Sequence, residues 1–103
     1  MARWDRCRMD TLYYADEADT NEPCEVRIES GRIEVTYERD GGVTYIGSDD
    51  GSGHFKLVAD RYEGRATLHR FPPDGDVLEG FWIEKEPAGS ETKGMWRIVL
   101  RAQ

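Results

Sequence analysis

The sequence lacks any apolar run approaching the roughly 18 residues that a membrane-spanning helix requires, so we expect no membrane segment. Basic residues are also scarce, because 14 Lys and Arg face 21 Asp and Glu and the formal net charge is -7. Nucleic-acid binding depends on Lys and Arg that neutralise phosphates, so this balance argues against a nucleic-acid partner. The charged segment Met1–Tyr14 has no apolar core of the kind found in signal peptides, and we therefore expect a cytoplasmic protein.

Cysteine is scarce as well, with only Cys7 and Cys24 in 103 residues. Two cysteines are too few for a disulfide scaffold, although a Cys7–Cys24 disulfide remains open. Together with His54 and His69 they could nominally supply four zinc ligands, but their spacing matches no metal motif. The sequence therefore predicts no metal site and no cofactor.

Helical periodicity is absent throughout, whereas alternation of apolar and polar residues recurs between frequent turn signals. This pattern favours an all-β single domain over residues 1–103, built as an antiparallel meander of about eight strands. The predicted strands are Arg8–Tyr14, Cys24–Glu29, Arg32–Glu38, Val43–Gly47, His54–Ala59, Gly64–Phe71, Val77–Glu84 and Lys93–Arg101.

The turn Ser30-Gly31 predicts the register of the hairpin around it, because the loop length of a hairpin fixes which residues face each other. Val26 then lies opposite Val35 on one face, and Arg27 lies opposite Glu34 on the other. One register thus gives both an apolar pair and a pair of opposite charges.

Two Gly-x-Trp units predict the register of the last hairpin. With its turn centred on Ala88, Gly80 lies opposite Trp96 and Trp82 lies opposite Gly94. Each indole can then cover a glycine on the neighbouring strand, which is a known way to fill the space that glycine leaves. We therefore favour core positions for both tryptophans over a ligand-binding cage.

The acidic run Asp16–Asp19, with Glu22 and Glu25, is predicted to be a solvated connection between the first two strands. A turn is expected at Thr20–Pro23. Docking of this acidic segment on a basic partner is the alternative.

Catalytic residues are not apparent. A turn at Asp60–Glu63 places His54 opposite His69, on the face away from Phe55 and Leu68. No sequence position provides a nucleophile or a residue to orient either imidazole, so we interpret the histidines as a surface pair, and an enzyme that uses His54 or His69 is only the third functional hypothesis.

Four segments in the second half of the chain resemble the calycin-type barrels, the lipocalin-like and avidin-like up-and-down folds, and small bacterial proteins of that type. They are Gly51–Phe55, Ala66–Phe71, Leu78–Trp82 and Gly94–Ile98. The resemblance implies a closed barrel, while a two-layer sandwich with the same core remains open. Barrels of eight strands are either filled by side chains or have room for one small ligand, and we expect a filled centre with any pocket shallow and near one mouth.

Arg70 is the polar residue that most suggests a ligand. By alternation it faces inward at the end of its strand, where its guanidinium could bind a carboxylate or phosphate. It could equally form a salt bridge with Asp74, Asp76 or another acid. The first functional hypothesis is a non-enzymatic protein that binds a small, anionic ligand in a shallow pocket at the barrel mouth. The predicted ligand-binding residues are Arg70, Trp82, Trp96 and Tyr37.

The outer face of the last two strands is unexpectedly apolar. A sheet that is apolar on both faces is normally covered, here by the N-terminal segment with Trp4 or by a second copy of the chain. The second hypothesis is therefore an interaction module that forms a homodimer through this face. The predicted interface residues are Phe81, Met95, Ile83, Val99 and Val77.

Overall fold

The computed structural model describes residues 2–15, 17–39, 41–49, 52–70, 72 and 75–101. Eight antiparallel strands follow one another around a closed barrel, because the first strand pairs with both the second and the last. The all-β, up-and-down barrel prediction is confirmed, and the sandwich is excluded. The strands are β1 (Ala2–Tyr13), β2 (Ala18–Glu29), β3 (Arg32–Tyr37), β4 (Val43–Asp49), β5 (His54–Ala59), β6 (Arg65–Arg70), β7 (Val77–Lys85) and β8 (Glu91–Val99).

The β2–β3 hairpin has the predicted register. Val26 pairs with Val35, and Arg27 pairs with Glu34 and forms a salt bridge with it at 3.6 Å. Ser30 and the glycine after it both have positive φ, 49° and 76°. A two-residue turn of this kind matches the twist of the strands, which explains why glycine is favoured here.

The β7–β8 register is also as predicted, with Gly80 opposite Trp96 and Gly94 opposite Trp82. The glycines have a second role that the sequence did not reveal. A Cβ on Gly80 would collide with the carbonyl oxygen of Thr67 on β6, and one on Gly94 with the carbonyl oxygen of Leu12 on β1. The strands therefore approach closely at both glycines, a known use of glycine within sheets.

The first hairpin corrects the predicted strand boundaries. β1 begins at Ala2 and β2 begins at Ala18, so the part of the predicted acidic connection from Ala18 onward, with the predicted turn at Thr20–Pro23, is strand; Asp16 lies outside the described residues. The pairing is irregular between Trp4 and Cys7 and again between Met9 and Thr11. Such irregularities disrupt the alternation on which the prediction depended.

A left-handed residue adds to this irregularity, because Asn21 has a φ of 58° within β2. Asn tolerates this conformation better than most residues. Its backbone N–H donates to Oδ1 of Asp10 at 2.8 Å, so the local geometry is fixed by a side chain of the neighbouring strand. The left-handed conformation of Asn21 is typical of a turn, but the residues around it belong to β2, so the predicted turn is wrong.

The barrel has two ends, because consecutive strands run in opposite directions. We call the end with the connections after β1, β3, β5 and β7 the Glu84 end, and the other the Arg70 end. Inward side chains fill the middle of the barrel with a continuous apolar core. Among the described residues there is no helix long and apolar enough to cross a bilayer.

Candidate ligand-binding site

The structure separates the four predicted ligand-binding residues into two groups. Tyr37, Trp82 and Trp96 line one cavity of about 280 Å³ at the Glu84 end, whereas Arg70 closes β6 at the opposite end. Sequence alternation predicts that each of these residues faces inward, but it does not predict at which end of the barrel the residue lies. The cavity is lined by Thr11, Tyr13, Asp19, Glu22, Tyr37, Glu38, Arg39, Trp82, Glu84 and Trp96.

Aromatic rings form one side of the cavity. The indoles of Trp82 and Trp96 stack with centroids 6.0 Å apart and an angle of 21° between their planes. Tyr13 contacts Trp82 edge-on at 5.3 Å, and Tyr37 contacts Trp96 edge-on at 5.9 Å. These offset and edge-on arrangements are the favoured geometries of aromatic pairs, so the surface is rigid and preformed.

Trp82 has an unused hydrogen-bond donor. The side chain is only 2% exposed, and its Nε1–H has no acceptor among the described residues. A buried donor without a partner costs about 1–3 kcal/mol, so native proteins rarely leave one unpaired. The indole lines the cavity, so a ligand whose acceptor reaches Nε1 would satisfy this group.

Glu84 is a buried carboxylate that the sequence hypotheses did not include. It is 2% exposed, and Oε2 accepts hydrogen bonds from the hydroxyls of Tyr37 at 2.9 Å and Tyr45 at 2.5 Å. Oε1 accepts one from Nη1 of Arg39 at 2.6 Å. A buried charge is costly unless it is paired and hydrogen-bonded, and both oxygens of this carboxylate meet that condition.

The two tyrosines respond to this carboxylate. Burial raises the pKa of Tyr37, and the negative charge of Glu84 raises it further. Burial also raises the pKa of Tyr45, with a further contribution from its hydrogen bond to Glu84. Both phenols therefore keep their protons in the folded state and remain donors well above neutral pH.

Arg39 is shared between two carboxylates. Besides Glu84, it reaches Glu86, to which Nη2 donates at 2.9 and 3.1 Å, and its guanidinium lies 4.4 Å from the centre of the Tyr62 ring. Burial alone would lower the pKa of Arg39, but the hydrogen bonds to Glu86 and the charge of Glu84 raise it overall. Because Arg39 already serves two acids, it has little attraction left for an anionic ligand.

Three further carboxylates lie at the cavity mouth. Asp19 accepts a hydrogen bond from the Tyr13 hydroxyl at 2.9 Å, and burial together with that bond raises the pKa of Tyr13 to about 12. Burial, followed by the charge of Asp19, raises the pKa of Glu22. Within the described part of the chain, no Lys or Arg forms a salt bridge with Asp19, Glu22 or Glu38.

Arg70 uses part of its guanidinium within the protein. Its Nε donates to the carbonyl oxygen of Gly75 at 2.7 Å, and the group lies 5.1 Å from the centre of the Trp4 ring. The structure places no salt bridge between Arg70 and Asp76, and Asp74 lies outside the described residues. Arg70 is thus held by its own connection and by β1.

The histidine pair lies where the register placed it. His54 is opposite His69, with ring centroids 4.6 Å apart and perpendicular planes, and both side chains are exposed. Nδ1 of His69 lies 3.3 Å from the carbonyl oxygen of Glu79. Over the described residues, no group of three or more His, Cys, Asp or Glu is arranged to hold a metal ion.

The predicted interface residues lie on the outer surface of β7 and β8. Phe81 and Met95 are 37% and 40% exposed and face each other, and the pairing of β8 with β1 adds Leu12, which is 50% exposed, beside Met95. Tyr14 contacts Phe81 edge-on at 5.5 Å. The remaining members, Ile83, Val99 and Val77, are half-buried.

Trp4 does not cover this outer face, which corrects one of the two covers considered from the sequence. It lies in β1 opposite Val26, is half-buried and packs against the core at the Arg70 end. The ring that does contact Phe81 is Tyr14, from the connection after β1. This contact depends on barrel closure, which brings β1 beside β8.

Sequence reasoning also missed Glu84, although a signal was present. Within the predicted strand Val77–Glu84, Glu84 shares its alternation with Leu78 and Trp82, which both face inward. A carboxylate at such a position must find buried partners. Arg39 gave no such signal, because it lies beyond the end of β3.

The fold and site define a closed, eight-stranded up-and-down barrel with an acidic, aromatic cavity at one mouth. Comparisons with family models, with curated proteins and with solved structures each give no match. The proposed function therefore rests on the chemistry of the cavity.

Proposed function

We propose that this protein binds a small molecule in the cavity at the Glu84 end and does not transform it. The single observation that carries the proposal is the cavity at this end, which is lined by Trp82, whose buried Nε1–H has no acceptor among the described residues. The volume of about 280 Å³ is near the lower limit of ligand pockets, so the ligand is small. A calycin-like relationship belongs to the same proposal and is supported by the closed up-and-down topology.

Binding without reaction fits the polar groups that line the cavity. Glu84 is held by three hydrogen bonds, and Asp19 accepts one from Tyr13. Polar groups that are held by hydrogen bonds in this way can orient a ligand. A general base, in contrast, must lie within hydrogen-bond reach of the substrate proton that it removes. The proposed role is therefore recognition, and a cytoplasmic location is proposed with it, supported by the free thiols of Cys7 and Cys24.

The experiment compares two tryptophans at opposite ends of the barrel. Saturation-transfer NMR with a library of small polar molecules identifies ligands of the wild type, and the hits are repeated with Trp82→Phe and the control Trp4→Phe. We expect hits whose affinity falls at least tenfold in Trp82→Phe, which lacks the Nε1–H, and is unchanged in Trp4→Phe. No hits with the wild type, or hits equally weakened by both variants, would overturn the proposal.

Homodimerisation is the second candidate function. It is favoured by the row of exposed apolar side chains formed by Phe81, Met95 and Leu12 on three neighbouring strands. Apolar rows of this kind on a sheet commonly mark interaction surfaces. Sedimentation equilibrium of the wild type and of Phe81→Asp tests this candidate function.

A further inference from the structure

We infer that the cavity selects a small organic cation that carries a hydrogen-bond acceptor, with its positive charge among Asp19, Glu22 and Glu38 and its acceptor on Trp82 Nε1–H. This inference rests on the proposed binding function and specifies the class of ligand. It replaces the anionic ligand that the sequence suggested, because the cavity at this end has the opposite charge balance.

The charge of the lining favours a cation. Four carboxylates and one guanidinium line the cavity, which gives a formal charge of -3. The guanidinium, from Arg39, is already bound to Glu84 and to Glu86 outside the lining. An anion entering the cavity would therefore meet unopposed negative charge, whereas an ammonium group would be attracted.

A bound cation would also stabilise the individual carboxylates at the cavity mouth. Glu22 lies close enough to Asp19 that the charge of Asp19, in addition to burial, raises its pKa. Two like charges held near each other are stabilised when a positive group is placed between or beside them. No described Lys or Arg forms a salt bridge with either residue, so a ligand is free to supply that group.

The aromatic side of the cavity favours an organic cation over a metal ion. Tyr and Trp rings attract ammonium groups through their quadrupoles, and here Tyr13, Tyr37, Trp82 and Trp96 line one site. The Nε1–H of Trp82 presents a positive hydrogen, which repels a bare metal ion but can donate a hydrogen bond to a ligand oxygen. A ligand with both an ammonium and an acceptor satisfies both ends of the cavity.

The size of the cavity limits the rest of the ligand. A volume of about 280 Å³ corresponds to that of about nine waters in the liquid, enough for one ring and a short chain. Tyramine is a suitable probe, since it combines one ring, a phenolic oxygen and a primary ammonium. Tyrosol and 4-hydroxyphenylacetate keep the ring and phenol but replace the ammonium by a hydroxyl and a carboxylate.

The test measures the affinities of these three probes, and of further library compounds arranged in the same ammonium, hydroxyl and carboxylate triplets, by isothermal titration calorimetry. We expect the ammonium members to bind at least tenfold more tightly than the hydroxyl members, and the carboxylate members to bind least. Raising the salt concentration should weaken the ammonium members most, because screening acts on the charge.

Variants locate the effect in the cavity. The double variant Glu22→Gln/Glu38→Gln should reduce the preference for the ammonium members at least fivefold, while Glu29→Gln, on β2 near the Arg70 end, should leave it unchanged. Circular dichroism verifies that each variant is folded.

The possible results distinguish the inference about the class of ligand from the proposed binding function. If hydroxyl or carboxylate members bind as tightly as the ammonium members, the cation inference fails and the binding function stands. If the ammonium preference survives the double variant, the assigned carboxylates are wrong. If no compound of any class binds, both the proposed function and the inference fail.

Discussion

The hydroxyl of Tyr45 on β4 donates a hydrogen bond to Glu84 on β7, across the interior of the barrel. The two strands are not neighbours in the sheet, so this bond joins opposite sides of the closed barrel directly. Tyr37 on β3 donates to the same carboxylate oxygen. Stability of the barrel and preorganisation of the cavity thus depend on one buried carboxylate.

Tyr45→Phe is therefore expected to destabilise the protein. The variant removes a buried hydrogen bond to a charged group, and such bonds contribute about 1.5–3 kcal/mol. Urea unfolding at pH 7, followed by tryptophan fluorescence, measures the change in the free energy of unfolding. The control Tyr14→Phe alters an exposed tyrosine and should have almost no effect. An equal free energy of unfolding in both variants would show that the bond contributes nothing.

Alkaline pH should destabilise the barrel for a related reason. The folded state raises the pKa of Tyr37 and Tyr45 above that of the unfolded chain, so it holds their phenolic protons more tightly. The resulting stabilisation is complete below the unfolded value of about 10 and is lost as the pH rises above it.

Urea unfolding between pH 8 and pH 11.5 measures this loss, with the steepest fall expected above about pH 10. In Tyr45→Phe the fall should be shallower, because one of the phenols with a raised pKa is gone, while Tyr37 and Tyr13 remain. A free energy of unfolding that stays constant across this range would contradict the prediction.

The regular hairpins could be predicted from sequence because their registers were over-determined. In β2–β3, a two-residue turn, an apolar pair and the charge pair of Arg27 and Glu34 all required the same alignment. The first hairpin could not be predicted, because bulges near Cys7 and Met9 shift the alternation and leave no turn signal in the right place. The pattern of apolar and polar residues indicates which side chains share a face of a strand. An inserted residue moves the side chains that follow it to the opposite face without changing the composition of the strand.

The candidate site was predicted only in part for a different reason. Alternation showed that Tyr37, Trp82 and Arg70 face inward, but the side-chain period of two does not say how far along the barrel a residue lies. The direction of each strand separates Arg70 from the other two. Arg39 lies outside any strand, so its contact with Glu84 depends on a loop conformation that periodicity does not describe.

Cys7 and Cys24 are expected to form a disulfide when the protein is oxidised. They are free and buried, and they lie directly opposite each other in β1 and β2. Opposite residues of antiparallel strands have Cα atoms about 4.5–5.5 Å apart, within the range that a disulfide spans. The hydrogen bond from Cys24 lowers the pKa of Cys7, despite an opposing effect of burial, and thereby favours the thiolate that forms a disulfide.

Diamide treatment of the folded protein, followed by intact-mass and peptide mapping, measures this reaction. We expect the monomer to lose two hydrogens, and closure of the loop should raise its stability by about 2–3 kcal/mol. Cys24→Ser should instead keep one alkylatable thiol and gain no stability. If both thiols of the wild type remain alkylatable after prolonged oxidation, the strand geometry does not permit the bond.

The exposed apolar row on the outer face is expected to hold two copies of the chain together. Phe81, Met95 and Leu12 lie side by side on β7, β8 and β1, and replacing the aromatic ring of Phe81, at the β7 end of the row, by a charge should prevent a second copy from covering them. We expect sedimentation equilibrium to show the wild type as a dimer at high concentration and Phe81→Asp as a monomer. Val58→Asp is the matched control, since Val58 is an exposed apolar residue of β5, outside this row, and its replacement should leave the dimer intact. A monomeric wild type at every concentration, or a dimer that Val58→Asp weakens as much as Phe81→Asp, would rule out this face as the specific contact.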